Sequence, residues 1–339
     1  MTLSTAQLRS IPKVELHRHL DCSMRWSTVT EIAKTLKMDL SSHPVHHRKD
    51  FLVMDPMVNL EAVLKKFLNT QKILSSEEIL TRLAYEASED AYNENTVMVE
   101  FRYAPSFILD GHSNLSFEKI LSAFQKGLDM AEEKLGISTG LIGILQRIKP
   151  LNEATKIMDQ FCEHKSSFVG VDLADNEEGF DPLPFAPLFQ KAKKQGLHIT
   201  IHSGESPNVQ AGQWILDSIN HLGAQRIGHG IQSIHHPKVI QTLIDQNITL
   251  EICPYSNWLT QAFPTFESHP IKNLFNQNVP ITLGADDPGV FTSSLTDDYE
   301  IAHRVHGFTV DDFKKVNQTA FKASFLPEAK KKKWESLFL

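Results

Sequence analysis

The sequence predicts an α/β fold, a (β/α)8 TIM barrel. Three observations carry that prediction. Eight short apolar segments rich in branched residues recur along the 339 residues. Helical patterns lie between most of them, and histidines or aspartates stand at the ends of four of them. Strands alternating with helices imply βαβ units and a parallel sheet. Eight such units make a barrel, for which ~250 residues is typical.

The predicted strands are, in order, "VELH" (14–17), "TVMVEFRYA" (96–104), "TGLIGILQ" (139–146) and "SFVGVDLA" (167–174), then "HITIH" (198–202), "QRIGHG" (225–230), "ITLEICP" (248–254) and "PITLGA" (280–285). Amphipathic helices are predicted over 117–135, 185–196 and 237–247. The stretch "FAPLFQKAKKQG" closes on lysines and a glycine, which suits a helix C-terminus. The extra length falls between the first two strands, at 23–95. It contains at least three helical patterns, including 60–74 and 77–92. An insertion after the first strand sits over the C-terminal rim of a barrel, where active sites lie. It reads either as a lid or as extra packing outside the barrel. The stretch "SSHPVHHRKD" (41–50) reads as a surface loop, with His43, His46 and His47 in no ligand pattern. Beyond the last strand the chain continues into C-terminal helices. The tail "EAKKKKWESL" (328–337) reads as a solvated helix face. No repeat or low-complexity linker divides the chain, so one domain over 1–339 is expected.

Composition narrows the function classes. Hydrophobic residues make up 41% and charged residues 22%, as in ordinary globular proteins. A formal charge of −7 argues against nucleic acid as a partner, since phosphate binding wants a basic face. Cys22, Cys162 and Cys253 are odd in number and far apart, which is no disulfide framework. No apolar run reaches the ~18 residues of a membrane span, and "MTLSTAQLRSIPK" lacks the apolar region of a signal peptide. A cytoplasmic protein with a small-molecule partner, away from membranes, is expected. Oligomeric state is not legible.

The strand ends carry the chemistry. In "VELHRHLD", residues i and i+2 share a face, so His17 and His19 point the same way, with Glu15 below them. Glu15 is expected to be either a structural carboxylate or an outer partner of the histidines. His202 closes the fifth strand with Glu205 three residues on, His229 closes the sixth, and Asp286 and Asp287 follow the eighth. In a barrel these ends converge on one rim. His17, His19, His202 and Asp286 would form a His3Asp set suited to one Zn2+, leaving Glu205 and His229 to handle protons. No HExxH, P-loop, GxGxxG or HxE…PCxxC pattern competes.

With these motifs assembled, the chain resembles the adenosine deaminases of the metal-dependent amidohydrolase superfamily. The resemblance rests on "PKVELHRHLD", "VEFRYAP", "VGVDLADNE", "HSGE", "RIGHGI", "EICPYSN", "GADDP" and "FKASFLPE", from about residue 11 to 335. It implies a zinc barrel that hydrolytically deaminates adenosine or 2′-deoxyadenosine to the inosine-type product and ammonia. By the same resemblance His17, His19, His202 and Asp286 hold the zinc. Glu205 hands a proton to purine N1, and His229 orients the water and assists its deprotonation. Asp286 counts with these two among the catalytic residues. Asp287 meets N7 and Asp21 the ribose 5′-hydroxyl, and His19 and Asp175 complete the expected substrate contacts.

Two positions depart from the family pattern. Asp175 stands where the family has the glycine whose N–H meets N3, and Cys22 stands in place of a glycine beside Asp21. Asp175 is expected to reach a ribose hydroxyl. The alternatives are that it points away or that it marks another nucleoside. Both changes lie on the sugar side, so a 5′-modified nucleoside, such as a methylthio or aminofutalosine type, stays open as substrate. A two-metal hydrolase is disfavoured because no lysine ends the fourth strand. A non-catalytic nucleoside binder would be expected to have lost proton-handling residues, and they are present.

Overall fold

The computed structural model describes residues 2–38 and 44–339. Its eight strands are β1 (Lys13–His19), β2 (Thr96–Tyr103), β3 (Ser138–Gln146), β4 (Gly170–Ala174), β5 (His198–Ser203), β6 (Arg226–His229), β7 (Thr249–Ile252) and β8 (Ile281–Leu283). They run parallel in sequence order, as βαβ units require. The barrel closes between β8 and β1. The N–H of His19 donates to the Asp286 carbonyl at 2.8 Å, and that of Asp286 to the His17 carbonyl at 3.1 Å.

Local chemistry explains the helices. Ser116 caps the helix Phe117–Leu135, and Gly136 ends it in the left-handed conformation, with φ +76°. The predicted tail helix forms as two short pieces, Glu328–Lys332 and Glu335–Phe338. Its solvated-face reading holds for Lys332 and Lys333, but Lys330 and Lys331 are half-buried and Phe338 is buried beside Phe321. Among the described residues no helix is long and apolar enough to cross a membrane.

The insertion between β1 and β2 has two jobs. The helix Glu77–Asn93 packs along Phe117–Leu135 on the outside of the barrel. The helix Leu60–Gln71 turns Leu64, Phe67 and Leu68 toward a cavity at the rim. The surface-loop reading of 41–50 needs correction, since Pro44–Phe51 is helical. Proline at the first helical position is favourable there, because its missing N–H has no intrahelical partner to lose. His43 and the side chains of His46 and His47 lie outside the described residues.

One irregularity matters for the site. Between β4 and β5 only Gly170–His198 and Val171–Ile199 pair. Above that point side chains replace the ladder. The Asp172 carboxylate accepts from the His202 N–H at 3.2 Å, and Arg147 donates to the His202 and Leu173 carbonyls. The rim is therefore built from charged groups inserted into the sheet.

Candidate active site

The strand ends bring the predicted residues together. His17 Nε2 lies 3.1 Å and His19 Nε2 3.3 Å from Asp286 Oδ1, and His19 Nε2 lies 3.3 Å from His202 Nε2. Donor atoms each ~2.0–2.1 Å from a tetrahedral zinc stand roughly 3.3–3.4 Å apart, so these three spacings match such an ion. His17 Nε2 is buried beside Asp286 Oδ1 without a well-aligned hydrogen bond among the described residues. A buried ring nitrogen so placed among other donors is what a metal would satisfy. The compact four-residue group is His17, His202, His229 and Asp286, while His19 groups with Asp286 and Asp287.

Two close packings allow this convergence. A Cβ on Gly228 would lie 3.1 Å from the His17 ring and 3.2 Å from His202, and one on Gly284 only 2.7 Å from the His17 carbonyl oxygen. Glycine is the residue that lets these rings and strands approach. His229 and Asp286 themselves adopt left-handed backbone, with φ +59° and +61°. Strain of that kind costs of order 1–3 kcal/mol per residue and persists where surrounding structure holds it.

The rings are held from behind by carboxylates that sequence periodicity does not single out. His17 Nδ1 lies 2.9 Å from Glu251 Oε2, and His202 Nδ1 lies 2.8 Å from Asp172 Oδ2. Arg102, fully buried, joins Asp172 at 2.8 Å and Glu251 at 2.7 Å. Arg226 holds the other Glu251 oxygen at 2.6 Å. Such outer partners fix ring orientation and tautomer. Their signal in the sequence is a charge set into an otherwise apolar strand: Arg102 in β2, Asp172 in β4 and Glu251 in β7.

Of the two parts expected of Glu15 it takes the structural one and does not support the histidines. Its carboxylate accepts from the Ala285 N–H at 2.9 Å and pairs with Arg18 at 3.2 Å, sealing the β8–β1 seam. The physical reason is a register shift between Glu15 and Arg18, where three steps along β1 face two along β2. The alternation that puts Glu15 under the histidines fails at such a bulge.

Electrostatics separate the groups by task. Burial holds His19 well below its ordinary value and His202 down to about 4, which keeps both rings neutral and able to ligate. Burial also lowers His17, but the Asp286 and Glu251 carboxylates outweigh it and leave the ring raised. Burial pushes Asp286 up, yet the surrounding histidines hold it well below the carboxylate range. Glu205 moves the other way. Burial and the Asp286 charge push it up to about 7.

Glu205 sits under tight control. Thr260 Oγ1 donates to its Oε1 at 2.9 Å, while Oε2 lies 3.7 Å from His229 Nε2. Its loop is gripped by Glu177, whose carboxylate accepts from the Gly204 and Ser206 N–H groups at 2.8 and 2.6 Å. Sequence reasoning assigns no role to Thr260 or Glu177.

The sugar-side residues line a cavity of about 440 Å³ with His19, Asp21, Cys22, Gln146 and Asp175 on its polar side. Asp21 accepts from the Ala104 N–H at 3.0 Å through Oδ2, and its Oδ1 is buried without a partner among the described residues. Burial raises Asp21 to about 7. Asp287 is raised by burial and by its neighbours Asp286 and Asp21, and the Cys22 thiol hydrogen-bonds to it. Asp175 holds the left-handed conformation, φ +85°, that a glycine would adopt freely. Both its oxygens already have partners, the Asn176 N–H at 2.7 Å and Gln146 Nε2 at 2.8 Å. A smaller cavity next door is lined by Glu205 and Thr260, and shares Glu61 and Asn176 with the first.

Comparison with known proteins agrees with this geometry. A family model described as "Adenosine deaminase" matches residues 12–337. An adenosine deaminase of Clostridium botulinum (strain 657 / Type Ba4) is 31% identical over 327 residues, covering 96% of this chain and 97% of that protein. An N6-methyl-AMP deaminase of Arabidopsis thaliana has a similar structure, with a TM-score of 0.84 and 29% identity over 99% of this chain and 98% of its own. A zinc-bound amidohydrolase from Burkholderia ambifaria shares the fold, with a TM-score of 0.90 and 22% identity over 100% of this chain and 93% of its own. The chain belongs to the adenosine deaminase family of hydrolases.

Proposed function

We propose that this hydrolase deaminates adenosine, and 2′-deoxyadenosine with it, using one zinc held by His17, His19, His202 and Asp286. The observation that carries the reading is the meeting of three imidazoles and Asp286 at 3.1–3.3 Å beside a carboxyl raised to about 7. A zinc in such a site lowers the pKa of water to ~7 and so supplies a nucleophile at neutral pH. The remaining work falls to the side chains. Glu205, protonated near neutrality, donates to purine N1 and makes C6 electrophilic. Its proton is aimed by Thr260, which occupies the other carboxyl oxygen. His229 orients the attacking oxygen and stabilises charge on it. Asp287, pushed up by burial and by Asp286 and Asp21, hydrogen-bonds N7. Asp21 receives the ribose 5′-hydroxyl on its unpartnered oxygen.

Charge favours a nucleoside over a nucleotide. Asp21, Glu61 and Asp175 line the cavity, and its lone lysine, Lys65, pairs with Glu61 at 2.8 Å. A 5′-phosphate would meet carboxylates there. This supports a nucleoside substrate over a nucleotide of the kind named for the Arabidopsis neighbour. A second reading has its own support. Leu64, Phe67, Leu68, Phe107, Ile148 and Phe180 give the cavity an apolar wall, which suits a 5′-thioether as well as a plain hydroxymethyl. The test is a deamination panel of adenosine, 2′-deoxyadenosine, methylthioadenosine, adenine and AMP, read by loss of adenine absorbance on zinc-loaded protein. Adenosine is expected to lead and AMP to trail. Turnover of none refutes the deaminase reading, and turnover of adenine alone refutes the role of Asp21.

A further inference from the structure

Behind His229 lies a chain of buried polar groups that the mechanism above does not use. His229 Nδ1 is 3.1 Å from Asn257 Nδ2, and Asn257 Oδ1 is 3.1 Å from His269 Nε2. The backbone N–H of Ile271 donates to His269 Nδ1 at 3.2 Å. His229 is 1%, Asn257 0% and His269 4% exposed, so solvent does not compete for these bonds.

The polarity of the chain follows from its far end. A backbone N–H only donates, so His269 Nδ1 must accept. Burial lowers His269 to about 3, so the ring is neutral and carries its single proton on Nε2. That proton goes to the Asn257 carbonyl oxygen. The amide NH2 of Asn257 then faces His229 and donates to its Nδ1. This orientation of Asn257 is dictated by donors and acceptors alone. A neutral His229 whose Nδ1 accepts keeps its proton on Nε2. That N–H faces the space between Asp286 Oδ2, 3.8 Å away, and Glu205 Oε2, 3.7 Å away.

We infer that Asn257 and His269 are positioning residues that lock His229 as an Nε2–H donor, so that it gives a hydrogen bond to the attacking oxygen instead of taking its proton. The inference rests on the deaminase reading for its kinetic part only. With the ladder Ile271–His269–Asn257 in place, His229 has no lone pair facing the reacting atoms. A group that held the opposite tautomer would present a lone pair and repel a negatively charged oxygen. The relay thus sets the sign of the interaction. The amide-to-carboxylate change Asn257→Asp reverses it at His229 alone. The introduced carboxylate accepts from Nδ1–H of His229 and still accepts from His269.

The test joins spectroscopy to kinetics on the metal-loaded full chain. The imidazole 15N pattern of His229, assigned by its loss in His229→Gln, should show Nε2–H in the wild type and Nδ1–H in Asn257→Asp. With that reversal kcat should fall on the order of 10²–10³-fold, the size of a lost oxyanion donor, with KM nearly unchanged. His269→Gln retains a donor toward Asn257 and should keep kcat within about threefold, whereas His269→Leu should lose at least about tenfold. That pair decides the matter if Asn257→Asp does not fold. An Nδ1–H signal in the wild type overturns the relay whatever the protein turns over. So does a reversed tautomer with kcat intact, or equal activity of His269→Gln and His269→Leu. If the wild type shows Nε2–H and deaminates no adenine nucleoside, the relay stands and the functional reading falls.

Discussion

Replacing Asp172 with Asn removes one charge from behind the candidate metal site and leaves volume almost unchanged. Asp172 Oδ2 sits 2.8 Å from both His202 Nδ1 and Arg102 Nη1, and Oδ1 accepts from the His202 N–H. Asn keeps one carbonyl oxygen, enough for the two Oδ2 bonds or for the Oδ1 bond but not for all three, and its NH2 accepts nothing. The ring of His202 then loses the anion that fixes its tautomer and raises its basicity. Loss of such an outer partner costs typically 10–100-fold in metal affinity, or about 1.4–2.7 kcal/mol. The fold also suffers. Breaking a buried ion pair costs about 3–5 kcal/mol, but Arg102 keeps Glu251 at 2.7 Å, so about 2–3 kcal/mol is the expected loss. Zinc dissociation constants from chelator competition, with thermal melts of the loaded protein, measure both effects. The exposed pair Lys191–Asp159, at 2.6 Å, is the control, and Asp159→Asn should change stability by less than about 1 kcal/mol. Zinc binding by Asp172→Asn within twofold of wild type would refute the reasoning that the carboxylate tunes His202.

Glu205→Gln should keep zinc binding and lower kcat by about 10²–10⁴-fold, the range of general acid catalysis, as read by nucleoside absorbance. Because Glu205 must be protonated and burial raises it to about 7, kcat/KM should be retained below that pH and lost as pH rises through it. The stability sign is the same: a raised folded-state pKa favours the fold below the ordinary glutamate range, and that contribution disappears as pH climbs through about 7. A kcat/KM profile that rises across this window would contradict the assignment. Asp21→Ala should raise KM for adenosine by roughly 3–10-fold, the worth of an ordinary hydrogen bond, and leave 5′-deoxyadenosine nearly unaffected. Asp175→Gly should relieve a left-handed φ and leave KM for adenosine within about threefold, since both carboxylate oxygens are already held by protein groups. A KM rise of ten-fold or more, about 1.4 kcal/mol, would instead give Asp175 a sugar contact.

Strand order and the convergence of His17, His19, His202, His229 and Asp286 are legible because a parallel barrel brings every strand end to one rim. Periodicity states which face a residue takes, and that suffices there. It says nothing of partners across the barrel. Glu251 reaches His17 from β7 across the closing seam, and Asp172 reaches His202 from the neighbouring β4 where the β4–β5 ladder has ended, and neither meeting is written in the alternation of a single strand. Glu15 escapes periodicity because a one-residue bulge in β1 breaks the alternation on which its placement relies. The helix Pro44–Phe51 escapes it because its histidines and charges leave no apolar stripe to betray the period. Asn257 and Thr260 sit in the short turn-helix after β7, where residue type alone carries no sign of a role.

The central claim is that a metal-loaded site with Glu205 as its acid removes the 6-amino group of a purine nucleoside. Its most direct test is the ratio of ammonia released to adenosine consumed by protein of measured zinc content. One zinc per chain, a ratio near one and inosine as the product are expected. Protein carrying one zinc per chain that releases no ammonia from adenosine, 2′-deoxyadenosine or methylthioadenosine would contradict it.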